Sequence, residues 1–190
     1  MRRAKKKIIR AFAVLAVAAS AFALEQSTAA AEDCPRKENV ANSVDVAESF
    51  GPVTNLPVPR YVSMKASSGR VRVGPSRSYR VLQKFVVRGV PLRIVGEYDQ
   101  WRRVQAWDGT GGWMHKSLLT GIRTVIVMVD QTPMRQLPEL DSRIKAVSEK
   151  GVVGQLGKCN PDWCIVSAGD FSGWMMKSCL WGIDAEEIRD

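Results

Sequence analysis

Histidine is almost missing from this chain: His115 is the only one in 190 residues. Acid–base or metal chemistry built on paired imidazoles is therefore excluded. Also missing is an apolar run of the roughly 20 residues that a membrane-crossing helix needs. The longest apolar or small-residue run, AFAVLAVAASAFAL, is 14 residues long and begins directly after Arg10. Helical periodicity is sparse past this run, and no flexible linker divides the C-terminal two thirds of the chain.

What stands in place of a membrane span is the layout of a secretory signal peptide. Six positive charges in MRRAKKKIIR precede the apolar run, and the small residues Ala29-Ala30-Ala31 follow it. Cleavage after Ala31 is expected, with Ala23 and Ala30 as alternatives and a retained anchor as the competing reading. No Leu stands three residues before Cys34, as lipoprotein processing would require. The expectation is a periplasmic or secreted protein that meets the membrane only transiently, through residues 1–31. Removing them leaves 159 residues with 22 Lys and Arg against 18 Asp and Glu, so much of the basic character lies in the signal peptide.

Four cysteines, Cys34, Cys159, Cys164 and Cys179, fall in the exported part, where disulfides persist. Four cysteines allow three connectivities. The Asn-Pro-Asp core of CNPDWC is strong turn chemistry and favours a Cys159–Cys164 ring, which leaves Cys34 for Cys179. Zinc is the alternative use of these residues with His115, but its ligands would have to converge from separate units and stay reduced. No metal or cofactor is expected.

The chain also repeats itself. GGWMHKSLLTGI (111–122) returns as SGWMMKSCLWGI (172–183), Trp101 and Val104 return as Trp163 and Val166, and Val71-Arg72 aligns with Met134-Arg135. Short alternating runs such as LRIVGEYD and WRRVQAW, separated by Gly- and Asp-rich turns, predict small antiparallel barrels. The resulting division is a signal peptide (1–31), a leader and extended arm (32–59), a first barrel (60–123), a second barrel (124–183) and an acidic tail (184–190). Within the leader, Val40, Val44 and Ala47 have helical spacing, marginal for an isolated helix. The Pro-rich GPVTNLPVPR reads as extended. With no linker between them, the two barrels are expected to touch.

LPVPRYVSMKASSGRVRVGPS, then Trp101-Arg102-Arg103-Val104, Asp108-Gly109-Thr110-Gly111-Gly112-Trp113 and Lys116-Ser117-Leu118-Leu119, resemble bacterial SH3-like domains. The second unit, through Trp163-Cys164, Gly173-Trp174 and Leu180-Trp181-Gly182, is similar to the second repeat of the exported tandem type of alphaproteobacteria. The resemblance covers about 125 of the 159 mature residues and departs at Arg70-Val71-Arg72, where the family pattern usually has Asn-Val-Arg. It implies an all-β fold of two tandem SH3-like barrels and a module that holds peptidoglycan or other wall polymers, not an enzyme.

The residues themselves argue the same way. His115 aligns with Met176, so acid–base chemistry is not duplicated, and the adjacent Lys116-Ser117 and Lys177-Ser178 would point to opposite faces of a strand. A wall hydrolase, the rival reading, has no His-bearing catalytic domain here. Strict alternation turns Trp101 and Trp163 away from Val104 and Val166, onto a face open to an extended peptide, unless a bulge returns them to the core. Residues 60–123 carry 13 Lys and Arg against three acidic residues, whereas 124–183 carry six of each. That imbalance suggests an anionic partner for the first barrel: an envelope polymer or surface, an acidic exported protein, or the chain's own acidic ends. A simply solvated basic face is the competing reading, and export disfavours nucleic acid. Candidate ligand-binding residues are Trp101, Trp107, Arg72, Arg102, Arg103 and Trp163. The expected role is a binding or scaffolding module for peptidoglycan or another anionic envelope component, with a subunit that docks an exported protein as the alternative.

Overall fold

The computed structural model describes Cys34 and residues 49–190. Residues 1–31, expected from sequence to be a signal peptide, most of the leader and the helical spacing at Val40–Ala47 lie outside the described residues. A short hairpin of β1 (Ser49–Phe50) and β2 (Pro57–Val58) leads into the first barrel. That barrel comprises β3 (Arg60–Met64), β4 (Gly69–Arg72), β5 (Val81–Phe85), β6 (Pro91–Tyr98), β7 (Trp101–Gln105), β8 (Gly111–His115) and β9 (Leu119–Thr120). The second is built from β10 (Thr124–Val127), β11 (Thr132–Arg135), β12 (Ile144–Ser148), β13 (Val153–Cys159), β14 (Trp163–Ala168), β15 (Phe171–Met176) and β16 (Leu180–Trp181).

Both sheets are antiparallel and seven-stranded, in the orders β5-β4-β8-β7-β6-β3-β9 and β12-β11-β15-β14-β13-β10-β16. Adding seven to each strand number turns one order into the other, so the sequence repeat is a repeat of whole topology. Alternation builds each core. Val71, Leu92, Ile94, Val104, Ala106 and Met114 fill the first, and Met134, Leu156, Val166, Met175 and Leu180 the second. The Lys-Ser pairs lie in short 3-10 turns, Lys116–Leu118 and Lys177–Cys179, rather than in strands. Lys177 is buried there and donates to the carbonyls of Ala185 and Glu187.

One cross-strand pair differs in kind between the barrels. Glu97 faces Arg102 between β6 and β7, and the matching positions of β13 and β14 are Cys159 and Cys164. The first pair is a buried ion pair, Arg102 Nε to Glu97 Oε1 3.4 Å, and the second a disulfide. Glu97 also accepts from the backbone amides of Val53 and Thr54, from Thr54 Oγ1 at 2.7 Å and from Arg60 Nη2 at 2.6 Å, and so holds the arm against the first barrel. Burial alone would raise its pKa, but hydrogen bonds from Arg60, Thr54 and Val53 outweigh burial and hold it at about 2 instead of 4.5. At the matching place on the second barrel Cys159 bridges Arg189 of the tail.

The two barrels are in contact. Ser63 Oγ and Thr124 Oγ1 lie 2.6 Å apart, and Tyr61 meets Trp181 edge to face, ring centroids 5.2 Å apart. Arg123 makes a two-pronged pair with Glu187, both bonds 2.9 Å. The acidic tail thus neutralises one cation of the first unit instead of standing free. Cys34 is bonded to Cys179, Cα atoms 5.3 Å apart, and Cys159 to Cys164.

A candidate basic groove on the first barrel

In β4 the alternation that buries Val71 turns Arg70 and Arg72 to the opposite face. Lys84 of β5 sits directly across from Arg70 in register, and Arg77 comes from the loop joining these strands. Together they line a groove of about 440 Å³ whose aromatic floor is Trp101 and His115. These two are also cross-strand partners, β7 to β8, with rings edge to face at 5.4 Å. His115 Nδ1 is 2.8 Å from Ser117 Oγ, which fixes the ring against the 3-10 turn.

Electrostatically the groove is one-sided. Four cationic side chains and no carboxylate line it, and among the described residues none of the four makes an ion pair. Arg72 Nη1 donates to the Tyr79 carbonyl at 2.6 Å, so this arginine braces the loop while adding its charge. Like-charged neighbours repel across a strand pair, and an anion lying between them removes that cost. The arrangement suits binding of an extended anion over an aromatic floor.

The second barrel lacks this chemistry. Pro133, Leu140 and Val147 stand where Arg70, Arg77 and Lys84 do, and Met176 replaces His115. Only Arg135 remains, and like Arg72 it donates to a loop carbonyl, that of Ser142.

Of the six candidate residues named from sequence, the groove brings together only Arg72 and Trp101. Trp101 does face away from Val104, yet it is only 9% exposed, because His115 and the groove walls cover it. Trp163 is buried and lies outside the groove. Arg102 has to be moved from surface to interior: it is buried, hydrogen-bonded to the carbonyls of Asp99 and Trp101, and paired with Glu97. Trp107 packs against Phe85 and the core, away from the groove. Arg103 is exposed but lies outside the groove.

Sequence reading missed Arg70, Arg77 and Lys84. The signal for Arg70 was present: it shares a β4 face with Arg72, and it is the residue at which the chain departs from the family pattern. Lys84 required the β4–β5 register.

Comparison with known proteins places this architecture. The bacterial SH3 domain family matches twice, over residues 65–121 and 128–182, and the chain belongs to that family. Its two sheets are accordingly two tandem bacterial SH3 domains. Among curated proteins none matches. Among solved structures, NlpC2 from Trichomonas vaginalis is similar over 65% of this chain and 48% of its own, at 12% identity and TM-score 0.29. NlpC1 from the same organism is similar over 69% and 48%, at 11% identity and TM-score 0.30. This chain thus spans about half the length of each.

Proposed function

We propose that the protein is an exported, non-enzymatic binding module that captures peptidoglycan or another anionic cell-envelope polymer in the groove of its first barrel. The observation that carries this reading is the set of four cations, without ion-pair partners among the described residues, gathered over Trp101 and His115 in one barrel and dismantled in the other. Export rests on the basic and apolar layout of residues 1–31. Both disulfides occupy all four cysteines, which suits an oxidising compartment and leaves no thiolate for covalent chemistry.

Co-sedimentation with purified sacculi at low and raised salt tests the proposal. Retention is expected at low salt and should weaken as exposed charges are screened. The double variant Arg70→Ala/Lys84→Ala should lower apparent affinity roughly tenfold, equivalent to about 1.4 kcal/mol, while Arg103→Ala should leave it unchanged. Folded wild-type protein that stays in the supernatant at both salt concentrations would refute the reading.

A further inference from the structure

The second barrel carries an opening that the first fills with its own side chains. In the first barrel Phe85, ending β5, meets Trp107 in the β7–β8 turn, ring centroids 6.5 Å apart, and both rest on the core. In the second, Ser148 occupies the Phe85 position: it pairs with Thr132 as Phe85 pairs with Gly69. The β14–β15 turn is also shorter than its β7–β8 counterpart. Ala168 pairs with Phe171 across Gly169 and Asp170, whereas Trp107, Asp108 and Gly109 separate Ala106 from its partner Thr110.

Neither aromatic plug therefore has a counterpart. What remains is a groove of about 510 Å³, lined by Met134, Ala146, Val147, Val152, Ala168 and Phe171. Val147 and Phe171 at its rim are 51% and 58% exposed. The cation at this rim, Lys145, is already engaged with the Ser172 carbonyl, so the groove offers little to an anionic polymer. Along it runs β12, which ends its sheet and, among the described residues, pairs only with β11. Such an edge accepts an added strand.

We propose that the second barrel docks an extended segment of a partner protein, which adds to β12 and seats one aromatic side chain in this groove. The chemistry of the occupant is read from the duplicate, because the space equivalent to this groove is filled in the first barrel by two aromatic rings. The site is independent of the basic groove, and the two barrels divide the work: charge recognition in one, aromatic capture in the other.

The test uses the full chain, isotope-labelled for NMR, titrated with N-acetyl-phenylalaninamide and, as control, N-acetyl-glycinamide. Saturable shifts are expected at the amides of Ala146, Val152 and Ala168 with the aromatic probe alone, leaving Arg70 and Lys84 unmoved. Ser148→Phe installs the first barrel's own residue and should abolish the shifts. Phe171→Asp removes an exposed wall and should weaken binding at least fivefold at unchanged melting temperature; it decides the matter if Ser148→Phe fails to fold. The proposal is overturned if the aromatic probe gives no saturable shift, or if Phe171→Asp binds it as wild type does.

Discussion

At the scale of the residue, Glu97 and Arg102 do in the first barrel what Cys159 and Cys164 do in the second: they join the β6–β7 and β13–β14 hairpins at the same step. The two solutions respond to different conditions. The disulfide is indifferent to acid, whereas the Glu97 carboxyl, held at about 2 instead of 4.5, stabilises the fold fully above about pH 4.5 and loses that contribution as the pH falls through 2. Glu97→Gln should cost on the order of 3 kcal/mol at neutral pH, since it leaves Arg60 and Arg102 facing a neutral amide in the interior. Urea unfolding at pH 7 and pH 3 checks this, and the gap between variant and wild type should narrow at the lower value. Arg102→Ala should destabilise by about 2–4 kcal/mol, while Arg103→Ala, at an exposed position, should stay within about 0.5 kcal/mol. From sequence these two arginines look alike. Only the hairpin register, which sets Glu97 opposite Arg102, separates them.

The repeated Gly-Trp step acquires a physical cause at the scale of the element. Strand β8 pairs with β4 only at Arg72 and Trp113, and beside that contact Gly112 has φ +150°, with space for a Cβ closed by the Arg72 carbonyl at 2.6 Å and Val71 Cγ1 at 2.7 Å. Gly173 meets the Arg135 carbonyl in the same way at 2.9 Å. The motif thus marks the place where one strand crosses close over another's backbone. Gly112→Ala should destabilise by about 2–3 kcal/mol, and Gly121→Ala, whose Cβ would meet nothing, by no more than about 0.5 kcal/mol; thermal melts of the two variants measure the contrast. Strand content and the outward turn of Trp101 were legible in the sequence because both follow from period-two alternation, and the duplication because whole motifs return. The groove was not, because it depends on which strand lies beside β4 and on the β4–β5 loop bringing Arg77 to the side that holds Trp101. The missing aromatic plug of the second barrel needed a turn one residue shorter to be seen in register.

For the whole molecule, the order of attachments matters. The chain meets the second barrel at Cys34, enters the first at Gly51, where a Cβ would collide with the Glu97 carboxylate, and returns to the second for its end, where Arg189 pairs with Cys159. Each barrel is therefore fastened by a segment from outside its own repeat, and the Cys34–Cys179 bond closes a loop across both, with a sequence separation of 145. Cys159–Cys164 closes only a separation of 5. If the bonds act by restricting the unfolded chain, the long loop contributes about 5 kcal/mol and the short one about 2. Cys34→Ser should accordingly lower the stability in urea more than twice as far as Cys159→Ser, in a background where the freed partner is also serine. Equal losses would mean that the length of the closed loop does not set what the long bond contributes.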